Sequence, residues 1–436
     1  MATVELMLDR RALLAGSAGA GALALLGTAP AALLAQDAGR WAGLEQLAQG
    51  YVAQRKAANM VIAIGQGQQP PTTIARGTLG FISRTPVDAD TLYRIYSMTK
   101  PVTGMAAMML VDEGRIALDQ PVADILPAFA QMQVQKQADG AITPDNLEPA
   151  IRPLTMRHLL THTGGLGYSI VQQGPLAAAY REKGLVPALV SRVQTPDSFA
   201  GTPAASLELF ADNLATVPLV HQPGERWSYS VGLDLMGRVI EVVTGTPFDR
   251  FLQERIFDPC GMASTGFHVR QEDVGRLTDN YLIAGDTLVP IDLAATSIYL
   301  DQPPFPFGGA GLVSTPRDYD RFLQMLVGLG QIDGRRVMSE AAVRLATSDL
   351  LPDTLAPDGG FNLDGKPAGY GAGGVAGRGA QAGLYGWSGA AGTFAFVHLG
   401  QGVRASLYSQ YMPGGHYRLQ GQFLAEVARS TGLPVI

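Results

Sequence analysis

Ser97-Met98-Thr99-Lys100 places a hydroxyl and an amine three residues apart. On a helix that spacing puts both side chains on one face. A serine hydroxyl is a poor nucleophile until a base takes its proton. A lysine held out of water can serve as that base. The chain has 436 residues but only five lysines: Lys56, Lys100, Lys136, Lys183 and Lys366. Residues 97–113 read as a helix stopped by Gly114, with Pro101 in the first turn, where a missing N–H costs least. Ser97 then stands at the helix N-terminus, where free N–H groups and the dipole favour negative charge.

Two further groups carry chemistry. Tyr229-Ser230 follows the Pro223-Gly224 turn and precedes a helix. A phenolate beside a lysine cation can accept a proton, because opposite charge favours the ionised form. Taken alone, Tyr229 also reads as a packed aromatic at a helix start. Gly386-Trp387-Ser388-Gly389-Ala390 lies between a glycine-rich stretch and a strand from Thr393. Small residues there let a substrate approach the backbone, and an N–H could form half of an oxyanion hole with that of Ser97. The bland reading is a glycine loop with a core tryptophan. The six histidines are His158, His162, His221, His268, His398 and His416. His158 and His162 share a helix face, but no carboxylate or cysteine sits beside them, so no metal site is expected. No G-x-S-x-G elbow occurs, which argues against an α/β-hydrolase.

These groups need a scaffold, and composition bounds it. Hydrophobic residues make up 47% and charged residues 16%, with a net charge of -6, which excludes disorder. A lone cysteine, Cys260, excludes a disulfide framework. A mildly acidic balance without a basic block argues against nucleic acid. Helices are expected at 41–57, at 156–162 behind an N-capping Thr155, at 231–244 closed by Gly245, at 317–327, at 339–347 and at 418–430. Strands are expected at 60–66, 72–82, 393–399 and 403–412. The stretch 368–384 reads as a loop. Residues 120–300 read as short helices between proline-bearing loops. The chain ends therefore build a sheet, in a lobe of about 36–120 and 300–436. A helical lobe of about 121–299 is inserted between them.

The first segment reads as an address. Arg10 and Arg11 precede an uncharged run over 12–29, and Ala29-Pro30-Ala31 offers a cleavage site, with another near Ala35. This is the order of a twin-arginine export signal, which implies a periplasmic or secreted protein of residues 36–436. The alternative is a retained anchor, since the run is near the spanning minimum. Its heavy Gly and Ala content makes it weakly apolar, so no stable span is expected after cleavage.

Read in order, the chain shows SMTK, LLTHTGGL, PGERWSYS, GGAGLVSTPRDYDRF and GWSGAAGT. This series resembles the serine β-lactamase-related superfamily, within it the class C β-lactamases and especially the family VIII carboxylesterases. The resemblance runs from about residue 45 to the C-terminus. It implies an α/β (α+β), β-lactamase/transpeptidase-like fold: an antiparallel sheet flanked by helices, with an inserted helical lobe. It implies Ser97 as the acylated nucleophile, with Lys100 and Tyr229 handling the proton. Trp387-Ser388-Gly389 matches the third motif, expected on an edge strand. Ser97 and Ala390 would supply the oxyanion N–H groups. Two departures stand out. Trp387 replaces a lysine that would face a substrate carboxylate, and Val231 replaces an asparagine, leaving an apolar surface toward substrate. Both favour a less polar acyl group. The expected activity is a carboxylesterase on small to medium esters. The alternative is a β-lactamase, D-amino-acid peptidase or oligoamide hydrolase of the same fold. No cofactor is implied, and oligomeric state stays open. Residues 168–215 are expected to shape the pocket wall.

Overall fold

The computed structural model describes residues 39–193, 201–363 and 365–434; the segment 10–35, read above as an export signal, lies outside them. Its centre is a seven-stranded antiparallel sheet. The strands are β1 (Asn59–Gln66), β2 (Thr72–Gly77), β3 (Gly369–Tyr370), β4 (Val375–Ala376), β5 (Leu384–Gly389), β6 (Thr393–His398) and β7 (Val403–Tyr408), in the order β3-β4-β5-β6-β7-β1-β2. The first strand of the chain thus pairs with one from near its end, Val61 facing Tyr408 across the β1–β7 seam.

Both faces of this sheet are covered, so β1 is buried along nearly its whole length. A strand buried on both faces reads as a continuous apolar run rather than an alternation, as MVIAIG does. On one face α1 (Ala42–Ala53) and α8 (Leu419–Thr431) pack Leu44, Tyr51, Phe423 and Val427 onto Met60, Ile62, Ile64, Phe394 and Phe396. On the other, Val61, Ala395, Val397 and Tyr408 meet α2 (Thr99–Asp112) and α6 (Pro316–Val327) through Met105, Met109, Leu323 and Leu326. Each such fully buried side chain contributes about 1.5–3 kcal/mol.

Helix ends follow their capping residues. Thr155 accepts from the His158 N–H to open α3 (Met156–Thr161), Thr315 accepts from Asp318 to open α6, and Ser339 accepts from Ala342 to open α7 (Glu340–Ala346). Gly245 closes α5 (Gly232–Thr244) in the left-handed conformation. Ser206 caps α4 (Leu207–Leu214).

Four expectations need correction. The first helix ends at Ala53 rather than 57, because Arg55 turns the chain with a φ of 54°. β2 stops at Gly77, whose φ is 88° and whose missing side chain lets the Ala58 carbonyl close in. The stretch 368–384 is not loop alone but carries β3 and β4, kept short by Gly371, Gly373, Gly374 and Gly377 between and after them. Residues 280–292 form a hairpin inside the stretch read as helices and loops, and Tyr411–Met412 adds to it in parallel. Its Gly285-Asp286 turn, with Gly285 at φ 60°, was a legible hairpin signal. Among the described residues no helix is long and apolar enough to cross a membrane.

α2 is buried on every side from Thr99 to Leu110, as a central helix must be. Gly104 faces the Ala372 carbonyl so closely that a Cβ would collide with backbone. Gly104→Ala is therefore expected to cost about 1–3 kcal/mol despite its better helix propensity. A urea melt of the variant checks this, and an unchanged midpoint would contradict the packing.

Candidate active site

Ser97 lies in a 3-10 turn, Tyr96–Met98, that runs directly into α2. Tyr96 sets this turn with a φ of 41°, a strained value for a residue with a side chain. Its buried ring is held in place by a hydrogen bond from Asn280 to the phenol oxygen at 3.1 Å. Ile95 is pinned through its N–H to the Leu312 carbonyl at 3.0 Å. The strain sits next to the hydroxyl it aims.

Lys100, one turn on, is fully buried. Its Nζ donates to the Gly309 carbonyl at 2.8 Å and to Ser97 Oγ at 3.2 Å. It also stands 4.5 Å from the centre of the Tyr229 ring. Tyr229, 132 residues further along the chain, donates its hydroxyl to Ser97 Oγ at 2.8 Å. Trp387 Nε1 donates to that same phenol oxygen at 3.2 Å. Ser97, Lys100, Tyr229 and Trp387 are thus brought together. Among the described residues, Lys100 is the one cation in hydrogen-bond or ring contact with this group.

Aromatic rings hold Tyr229 on several sides. His162 and Tyr168 meet it edge-on at 4.8 and 5.2 Å, Trp387 at 5.7 Å, and Trp227 stacks at 6.1 Å. Such contacts stabilise by about 0.5–1.5 kcal/mol each and leave the ring little freedom. His162 gives support rather than metal ligation. It leaves α3 in the left-handed conformation, so it diverges from His158. Its Nδ1 accepts from the Ser230 N–H at 3.2 Å and lies 2.9 Å from Ser230 Oγ. Burial, with Lys100 adding to it, pushes the imidazole well below its usual range and keeps it neutral. His158 is also held neutral, pushed down to about 4 by burial.

The third motif lies on β5, which is third in the sheet and not its edge. β4 pairs only with Tyr385 and Gly386, so Trp387, Ser388 and Gly389 have no strand partner on that side. The expected opening arises this way. Gly389 is packed against the Ile95 carbonyl and Thr393 Oγ1, where a Cβ would collide with both. The following three-residue turn, with Gly392 at φ 76°, carries Ala390. Ala390 and Ala391 pack in one apolar cluster with Tyr96 and Ala310. The oxyanion candidate is thereby placed beside the nucleophile's own turn. Ala188 and Val190 join that cluster, so part of the 168–215 stretch does reach this region.

Val231 departs from expectation. It offers no surface to a substrate, being fully buried at the start of α5 with its N–H on the Gly167 carbonyl at 3.3 Å. The helix start must pack under that loop to hold Tyr229, and this takes Val231 into the core.

Sequence reasoning also missed Asp234. It is buried in the first turn of α5, one Oδ accepting the Gly309 N–H at 2.9 Å. A charged residue between Leu233 and Leu235 on an amphipathic helix was the available signal.

Comparison with known proteins bears on the family and the fold. The beta-lactamase family model matches residues 44–429. Protein Rv1367c of Mycobacterium tuberculosis is 38% identical over 62% of this chain, and the match spans 62% of that relative's length. Esterase EstB of Burkholderia gladioli is 29% identical over 74% of this chain and 78% of its own. The structure of EstCE1, described as a hydrolase with promiscuous acyltransferase activity, superposes with a TM-score of 0.70. It covers 90% of this chain and 99% of its own at 23% identity, a likeness of fold. With a family match across most of its length and that fold, the chain belongs to the β-lactamase family.

Proposed function

We propose that this protein is a carboxylesterase for small to medium, uncharged esters, working through an acyl-enzyme on Ser97. The observation that carries the reading is Ser97 Oγ held between Lys100 Nζ at 3.2 Å and Tyr229 Oη at 2.8 Å. In this reading the Lys100/Tyr229 pair reacts in the form that lacks one of its two protons, and it takes the Ser97 proton as Oγ bonds to the ester carbonyl carbon. The carbonyl electrons move onto oxygen, which rests on the N–H groups of Ser97 and Ala390. Collapse expels the alcohol oxygen, which takes the proton back. Water then repeats the sequence to release the acid. Trp387, half-buried beside Tyr229, presents an apolar ring and no cation, which favours an apolar group over a carboxylate.

Residues 36–436 form the catalytic domain in this reading, and the twin-arginine order of Arg10-Arg11 before an uncharged run supports action in the periplasm or the medium. The test is a panel of p-nitrophenyl esters of rising chain length beside nitrocefin and a penicillin. Intact-mass detection of an adduct on Ser97 with a fluorophosphonate accompanies it. Ester hydrolysis is expected to outrun nitrocefin turnover. The reverse order would select the amide-hydrolase alternative, and no adduct on Ser97 would end the reading.

Trp387→Phe keeps an aromatic ring, though a smaller one, and removes the N–H donated to Tyr229. It is expected to lower kcat about 5-fold, the equivalent of one net hydrogen bond of about 1 kcal/mol. A larger change in KM than in kcat would instead make the indole a substrate contact alone.

A further inference from the structure

The residues between 305 and 312, FPFGGAGL, bring no charge to the site, yet two helices are joined through them. Thr103 Oγ1 on α2 donates to the Gly308 carbonyl at 2.7 Å, and the Leu312 N–H reaches Thr99 Oγ1 at 3.1 Å. On the other side the segment presses on α5. A Cβ on Gly309 would lie 2.6 Å from Asp234 Oδ2. The Gly309 N–H donates to Asp234 Oδ1 at 2.9 Å, while its carbonyl accepts Lys100 Nζ at 2.8 Å. One glycine therefore links a buried carboxylate on α5 to the amine beside the nucleophile.

Asp234 Oδ2 has no hydrogen-bond partner and the residue is essentially inaccessible to water. A buried carboxylate left half-satisfied costs stability, so its presence calls for a reason. The charged group facing it is Lys100 on α2. The other titratable groups around it are phenols, Tyr168 directly and Tyr229 next to Tyr168. Arg238, one turn along the same helix, is engaged elsewhere with Glu208 and Glu241.

We infer that Asp234 is a positioning residue of the reaction: through Gly309 it fixes the direction of Lys100 toward Ser97 and supplies the negative charge that balances the amine there. The inference rests on the serine acyl-enzyme reading above. Burial pushes the Asp234 carboxyl up to about 6, with Lys100 pulling against that rise. The negative charge is therefore present above that pH and lost below it. Activity acquires an acid limb with a midpoint near 6. Stability follows the opposite sign. The folded-state carboxyl is raised above its ordinary value of 3.8, so its contribution favours folding at low pH and is lost as pH rises through about 6. At pH 8 the ionised group works against folding.

Asp234→Asn separates the two. The amide oxygen still accepts the Gly309 N–H, while the charge is gone. At pH 8 kcat is expected to fall about 10- to 100-fold, the scale of a small misplacement of a reacting group, with KM little changed. The acid limb near pH 6 flattens, and Tm at pH 8 holds or rises. An unchanged kcat and acid limb overturns the inference, as does a fall in Tm in step with activity, which marks a structural role. Gly309→Ala is the second variant, because its methyl would push against the carboxylate. It should shift the acid limb, and a wild-type pH profile would also count against the inference. Fluorophosphonate labelling of wild-type Ser97 tells the two readings apart. Labelled Ser97 with an indifferent Asp234→Asn overturns only the role of Asp234. Unlabelled Ser97 removes the acyl-enzyme and this inference with it.

Discussion

Ser97→Ala will reduce kcat/KM for p-nitrophenyl butyrate about 10,000-fold or more, leaving only what oriented N–H groups and binding provide. The expectation follows from the absence of a substitute. The amine and the phenol both converge on this one oxygen, and among the described residues neither bonds another serine or threonine hydroxyl. The fold should survive. Ser97 is small and partly exposed, Lys100 keeps its Gly309 partner, and Tyr229 keeps the Trp387 N–H. A melting temperature equal to that of the wild type is therefore part of the prediction. Turnover within about 10-fold of wild type, in protein free of background esterase, would show that the bond-forming group is elsewhere.

Tyr229→Phe is the second large effect, with kcat expected to drop about 1,000-fold and KM to change little. Phenylalanine keeps the ring among His162, Tyr168, Trp227 and Trp387, so the cage should stay assembled. What disappears is the oxygen 2.8 Å from Ser97 Oγ and the acceptor for Trp387 Nε1. Acylation should slow in single-turnover measurements, because the proton of Ser97 has lost one of its two neighbours. A variant with normal acylation but slow product release would assign Tyr229 to a different step. Combining Tyr229→Phe with Ser97→Ala should add almost nothing to the latter, since groups that act as a unit lose function together.

The parts of this molecule that were legible in the chain are local. The helix starts behind Thr155 and Ser339 and the stop at Gly245 depend on contacts within one turn, so residue type and order suffice. The same holds for Ser97 and Lys100, three apart at the head of one helix. The continuous apolar run of β1 announced a strand buried on both faces. Where a glycine altered the outcome, as at Gly77, the cause was a carbonyl from a neighbouring segment, which no local rule contains.

Tyr229 was suggested by its place in the motif order, but its 2.8 Å contact with Ser97 exists only once α5 packs against α2. The same packing buried Val231, made His162 a support for Ser230, and set Asp234 one glycine away from Lys100. Sequence alone determined which residue types were available and which short elements carry them, because steric preference and hydrogen bonding within a turn act over a few residues. Tertiary structure decided which of those groups meet and which lose water. Distance and burial are properties of packed surfaces brought together from far apart in the chain.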